Sequence, residues 1–138
     1  MPVESVPFGD AMRMPVAFCN ALALDLSDVR RLIWVSGQIA FDERGELVGK
    51  GDVRAQTVQC LENIRRCLEQ LGGSMDEVVQ VIVFVKEMVG LREIHEARRR
   101  YFQPPFPTST LVAVSGFVHP DALIEINAVA AVRVPLAR

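Results

Sequence analysis

Cysteine, histidine, tyrosine and tryptophan are scarce in this chain: three, two, one and one in 138 residues. Cys19, Cys60 and Cys67 are odd in number and lack paired spacing, which sets aside a disulfide framework and a zinc site. Cys60 and Cys67 stand seven apart in a helical pattern, so buried thiols on one helix face are expected, in a cytoplasmic setting. A surplus of either charge is also missing. Fifteen Lys and Arg against seventeen Asp and Glu give a formal net charge of −2. With Tyr101 as the lone tyrosine and no basic stripe interleaved with aromatics, a nucleic-acid partner is not expected. The one cationic cluster, Arg98, Arg99 and Arg100, reads as a solvated helix face. No apolar run approaches the ~18 residues that span a bilayer. The opening "MPVESVPFGDAMRMP" lacks the basic region and apolar core of a signal peptide, so no membrane partner is expected.

What is present suits one globular domain over residues 1–138, half hydrophobic and 23% charged. "FCNALAL" (18–24) predicts a first strand, and "LIWVSGQIAF" (32–41) a second, interrupted at Gly37 by a bulge or a close backbone approach. A short strand is expected at Glu46 to Val48. Asp52 can cap a helix whose apolar residues recur at Leu61, Ile64, Leu68 and Leu71, with Gly72 as its stop. "EVVQVIVFVKEM" (77–88) predicts a strand. A second helix follows from Leu91 to Phe102, with Leu91, Ile94 and Tyr101 inward, ended by "QPPFP". "STLVAVSGF" and "ALIEINAVAAVRV" are the last strands, joined by a turn at His119-Pro120-Asp121 in which His119 is expected to be exposed and inert.

This order predicts an α+β fold with both helices on one face of the sheet. Residues 81–85 and 124–132 are nevertheless apolar at both parities, so the other face must also be covered. Nothing remains in the chain to cover it. A face of that kind marks an interface, and a homo-oligomer is expected.

The last strand carries a contradiction. Glu125 and Asn127 interrupt "ALIEINAVAAV" (122–132), and burying an unpaired carboxylate costs on the order of several kcal/mol. Two readings stand. Glu125 is paired structurally with an arginine or a backbone donor, or it faces a cleft, where lost hydration suits it to general acid or base work.

The pieces "SGQI", "QT…LENI", "G…DEVV…VFV" and "IEI.A.A" occur here in an order that resembles the Rid family, the YjgF-like reactive-intermediate deaminases, from about Phe18 to Arg133. The resemblance implies a chorismate-mutase-like mixed sheet and a homotrimer with clefts between subunits. It also implies a small-molecule ligand, no metal or cofactor, and hydrolysis of enamines or imines with release of ammonia. The family's cleft carboxylate falls on Glu125. Ser36 and Gly37 match "SGQ", Phe84 matches the apolar residue of "VFV", and Thr110 follows in the substrate-binding segment.

The departures are as informative. Ser109 stands where the family has the arginine that grips a substrate carboxylate; losing such a contact costs roughly 2–5 kcal/mol when the charge it met stays buried. Phe18 replaces a tyrosine, Leu111 a cysteine, and His95 an asparagine. His95 is either a buried structural histidine or a titratable cleft group. Arg92, or an arginine of the 98–100 run, is available to replace the missing anchor from a neighbouring subunit.

Two functions from different classes follow. One is a cofactor-independent imine or enamine deaminase with an altered substrate, Glu125 holding the water. The other is a non-catalytic trimer that binds a small, weakly polar metabolite. "PT.T.VAV…HP..LIEI.AVA" also resembles the aminomuconate deaminases, which carry the arginine absent here. Ribonuclease activity, described for some relatives, finds little support in a negative net charge.

Overall fold

A computed structural model describes residues 3–135. Its elements are β1 (Glu4–Pro7), β2 (Cys19–Ala23), β3 (Val29–Gln38), α1 (Val53–Gln70), β4 (Val78–Val85), α2 (Leu91–Arg99), β5 (Thr108–Ala113) and β6 (Ile124–Arg133). The six strands form one mixed sheet in the order β1-β2-β5-β4-β6-β3. β5 is parallel to both β2 and β4, while β6 runs antiparallel to β4 and β3. Parallel neighbours need a crossover, and α2 supplies it between β4 and β5. α1 likewise carries the chain from β3 over to β4, across the intervening β6.

The period-two pattern of the central strands decides what each face does. Val81, Val83 and Val85 of β4, with Ile124, Ile126 and Ala128 of β6, point at the helices. There they pack against Leu61, Ile64 and Leu68 of α1 and Ile94 of α2. Asp52 caps α1 by accepting the Ala55 N–H at 3.0 Å, and Gly72 leaves the helix end at φ +81°. The Tyr101 hydroxyl donates to Glu62 Oε2 at 2.8 Å and ties the end of α2 to α1.

On the opposite face Ile82 and Phe84 are half-buried, Leu32 and Val112 are exposed, and Trp34 is 69% exposed. The mixed α+β architecture with two helices on one face is as the sequence predicts. The apolar outer face stands uncovered within one chain.

Five details differ from expectation. Glu4–Pro7 forms a strand that no local pattern announces, because all four residues are exposed and its order comes from pairing with β2. The stretch at Glu46 to Val48 contributes only an isolated bridge, Leu47 to Phe41. α2 ends at Arg99, a turn earlier than expected. Arg98 is not on a solvated face: it is 1% exposed, one turn after Ile94 on the inner side, and its Nη2 donates to Ala17 O at 3.4 Å. His119 is also not fully exposed. It is half-buried, its Nδ1 accepts the Asp121 N–H at 3.0 Å, and its ring meets Phe41 edge-on.

Candidate functional site

Glu125 lies opposite Phe84 in the β4–β6 ladder, on the face away from the helices, and is half-buried. Beside it the β3–β6 ladder skips. Val35 pairs with Ala128 and Gln38 with Ile126, so Ser36 and Gly37 together oppose the single Asn127. Two residues against one make a bulge, which bends the strand and frees backbone from the ladder. Asn127 is accounted for by structure: its Oδ1 accepts the Ile82 N–H at 3.2 Å.

Gly37 fixes where the carboxylate sits. A Cβ at this position would overlap Oε2 of Glu125 and lie 2.8 Å from its Cδ, so only glycine leaves the space the carboxylate fills. Among the described residues no side chain or backbone N–H donates to Glu125, and no arginine or lysine pairs with it. Among the described residues, then, Glu125 has no structural pair. Instead, the residue lines two open clefts. One, of about 530 Å³, is walled by Gly37, Ile39, Phe41, Asn63 and Arg66. The other, of about 480 Å³, is walled by Phe84, Ser115, Gly116 and Phe117. The buried Cys60 thiol, within reach of Ile124 O at 3.8 Å, is pushed up by burial and then by the charge of Glu125. A buried, protonated thiol of this kind is structural.

Asn63 and Arg66 are site neighbours that sequence reasoning missed. Asn63 Nδ2 donates to Phe41 O at 2.9 Å and Ile39 O at 3.2 Å, holding the segment after β3 against α1. Arg66 Nη1 lies 3.3 Å from Glu43 Oε1. Their spacing of three puts both on one helix face. Nothing local shows that this face meets the end of β3, because that juxtaposition comes from sheet order.

The other expected site residues divide into two further groups. Phe18, just before β2, has its ring 4.5 Å from that of Phe8 and 5.8 Å from that of His95. His95 is buried, and its Nδ1 accepts the Ala17 N–H at 3.4 Å. Burial, with the charges of Arg98 and Arg99, pushes its pKa down to about 4, so the ring is neutral near pH 7. Beneath it, burial lowers the Arg98 pKa to about 10, and its Nε and Nη1 have no partner among the described residues. Arg99 Nη1 donates to Val16 O at 2.8 Å, and its guanidinium stacks 5.2 Å over the Phe106 ring. Phe18 and Arg99 border a third cavity of about 900 Å³ that does not include Glu125.

On β5, Ser109 lies opposite Val81 and Leu111 opposite Val83, on the helix side, where Leu111 packs against the core. Thr110 lies opposite Ile82 on the outer face and is exposed. One chain thus brings Gly37 and Phe84 to Glu125, with Ser36 next to Gly37 in the bulge. It holds Phe18 and His95 apart from them, with β5 between. Among the described residues, no cluster of three or more His, Cys, Asp or Glu has metal-binding geometry. No described helix is long and apolar enough to cross a membrane.

Comparison with known proteins bears on this arrangement. The family model described as Endoribonuclease L-PSP matches residues 18–132. A RutC family protein of Pyrococcus abyssi is 40% identical over 103 residues, covering 74% of this chain and 80% of that protein. The 3-aminoacrylate deaminase RutC of Acinetobacter baylyi is 38% identical over 99 residues, covering 72% of this chain and 78% of that protein. Among solved structures, a Rid-family protein of unknown function from Yersinia pestis superposes with a TM-score of 0.82 at 26% identity, over 96% of this chain and 100% of that one. TdcF of E. coli with bound serine gives 0.66 at 25% identity, over 93% and 98%.

Proposed function

The chain belongs to the Endoribonuclease L-PSP family, the Rid and RutC proteins, and from that membership and the site geometry we propose that it is a deaminase-type hydrolase acting on imines or enamines. The observation that carries this reading is Glu125: a half-buried carboxylate with no partner among the described residues, seated over Gly37 and open to two clefts. A carboxylate serving only the fold would be paired, since leaving it unpaired is costly. The 3-aminoacrylate deaminase of Acinetobacter baylyi, at 38% identity, supports the reaction class.

The chemistry asks little of the protein. Glu125 accepts a hydrogen bond from a water and takes its proton as the oxygen adds to the imine carbon, giving a carbinolamine. The same carboxylate passes that proton to nitrogen and then carries the carbinolamine's hydroxyl proton there as well, so that the C–N bond breaks and ammonia leaves with a carbonyl compound. An enamine first takes a proton on carbon to reach the imine. Backbone groups of the Ser36–Gly37 bulge orient the substrate, and Phe84 forms the apolar floor. No cofactor enters this sequence.

The active unit in this reading is a trimer. Three copies packed through the outer faces would cover Trp34, Leu32 and Val112, which one chain leaves exposed. They would also bring Thr110, on the outer face of β5, and the half-buried Phe18 of one subunit toward the Glu125 cleft of the next, while Ser109 and Leu111 stay on the helix side and His95 stays buried beside Ala17. A second reading, a trimer that binds a metabolite without turnover, is favoured by one observation: Ser109 supplies no charge where the family grips a carboxylate. RNA cleavage, despite the family's name, finds little support in a formal net charge of −2.

Ammonia release from 2-iminopropanoate and 3-aminoacrylate, each generated in situ, separates the readings. The hydrolase predicts acceleration over buffer with at least one of them. Buffer rates with both would leave the binding protein standing.

A further inference from the structure

We infer that Arg66, on α1, is the anion anchor of the Glu125 cleft, and that it binds the carboxylate of an imino-acid substrate in place of the arginine missing at position 109. The inference rests on the deaminase reading for the identity of the substrate, but not for the anchor itself.

The argument starts from charge. The 530 Å³ cleft contains two acids, Glu125 and Asp42, and one base, Arg66. Asp42 is already occupied, because its Oδ1 accepts the Arg44 and Glu46 N–H groups at 2.9 and 3.0 Å. A carboxylate ligand entering beside Glu125 would meet like charge and no counter-charge except Arg66. The neighbouring arginines are committed elsewhere. Arg65 is held by Glu62 and Glu69 on its own helix, while Arg98 is buried beside Ala17, outside this cleft.

Arg66 is the guanidinium with freedom to respond. Its sole partner among the described residues is Glu43, a side chain 79% exposed, and the pair is separated by 3.3 Å. Exposed pairs of this kind are weak and screened, so a ligand carboxylate inside the cleft can take the place of Glu43 at little cost. A planar guanidinium then offers two parallel N–H donors to one carboxylate. The helix holds the anchor's backbone rigid, and Asn63, one turn earlier, fixes that helix to the cleft wall through Phe41 O and Ile39 O. Recognition would thus come from α1 rather than β5. The cleft should prefer an anionic imine to a neutral one, despite the serine at 109.

The test uses the full-length protein with pyruvate as an unreactive probe and pyruvamide as its neutral counterpart, both titrated by NMR, alongside KM and kcat for 2-iminopropanoate. Wild type should bind pyruvate in preference to pyruvamide, more weakly at high salt. Arg66→Met should weaken pyruvate binding and raise KM by roughly tenfold to a hundredfold while changing kcat little, and should erase the preference over pyruvamide. Arg66→Lys should recover part of both. Glu43→Gln, which frees the guanidinium, should tighten pyruvate binding several-fold.

Unchanged pyruvate affinity and KM in Arg66→Met would overturn the anchor, and so would an absence of pyruvate binding to wild type. The two levels of the argument fail differently. If wild type shows no turnover but binds pyruvate through Arg66, the anchor stands and the deaminase reading falls. If Glu125→Gln abolishes turnover while Arg66→Met is silent, the reverse holds. Arg66 is 40% exposed, so the variant is expected to fold, and a thermal melt checks it.

Discussion

Replacing Gly37 by alanine should disable the site through one added methyl group. The new Cβ would overlap Glu125 Oε2 and fall 2.8 Å from Cδ, against the 3.4 Å at which ordinary contact begins. Neighbouring atoms must open that gap, and the carboxylate, at the end of a flexible side chain, yields more easily than the β3–β6 ladder. Stability should therefore fall by about 1 kcal/mol, the low end for adding a methyl group to a packed position. For a chain of this size that lowers Tm by roughly 3–5 °C. Activity should suffer more, because a displacement approaching 1 Å costs about a hundredfold when a reacting group must be aligned.

The assay is a double-mutant cycle over Gly37→Ala and Glu125→Ala, read by thermal unfolding and by ammonia release. Truncating Glu125 removes the group the methyl collides with. Gly37→Ala should then cost no further stability in the Glu125→Ala background, giving a coupling energy near the full single-mutant loss. Two results would refute the reasoning. One is wild-type turnover in Gly37→Ala. The other is a Gly37→Ala stability loss that persists when Glu125 is gone, which would place the strain in the backbone.

Two further predictions address the second group of residues and the assembly. His95 is neutral in the folded chain, with its pKa pushed down from 6.5 to about 4, so the unfolded chain binds more protons between those values. Stability should fall as pH drops from 6.5 to 4, and His95→Gln, which keeps an acceptor for the Ala17 N–H, should flatten that part of a urea midpoint profile. An identical profile in the variant would assign the pH dependence to other groups. For the assembly, light scattering at micromolar concentration should give three times 15.3 kDa, and Trp34→Asp should shift the mass toward one chain without unfolding it. A monomeric wild type would sink the argument from the uncovered face.

How far the sequence could be read depended on whether the signal was local. α1 carried every cue along its own length: a capping aspartate at 52, apolar residues at 61, 64 and 68, and a glycine at 72. β4 and β6 announced themselves by apolar runs, and the charge inside β6 marked Glu125 as the residue to explain. Of the bulge or close backbone approach expected at Gly37, the bulge is present, but its purpose, clearance for a carboxylate from another strand, is visible only once β3 and β6 are paired. β1 left no trace because four exposed residues have no pattern and take their order from β2. Arg98 misled for a different reason: a cationic triplet looks solvated, yet helical spacing from Ile94 turns one of its members inward. Arg66 was hidden in the same way. Its distance in sequence from Glu125 is bridged only by the order of the strands.

The most direct measurement compares wild type with Glu125→Gln in the hydrolysis of freshly generated 2-iminopropanoate, against the buffer rate. Glutamine keeps the volume over Gly37 and cannot take a proton from water. The account predicts clear acceleration by the wild type and a loss of at least a hundredfold in the variant, with an unchanged melting profile. Equal acceleration by both proteins would contradict it, since the unpaired carboxylate would then have no part in the chemistry.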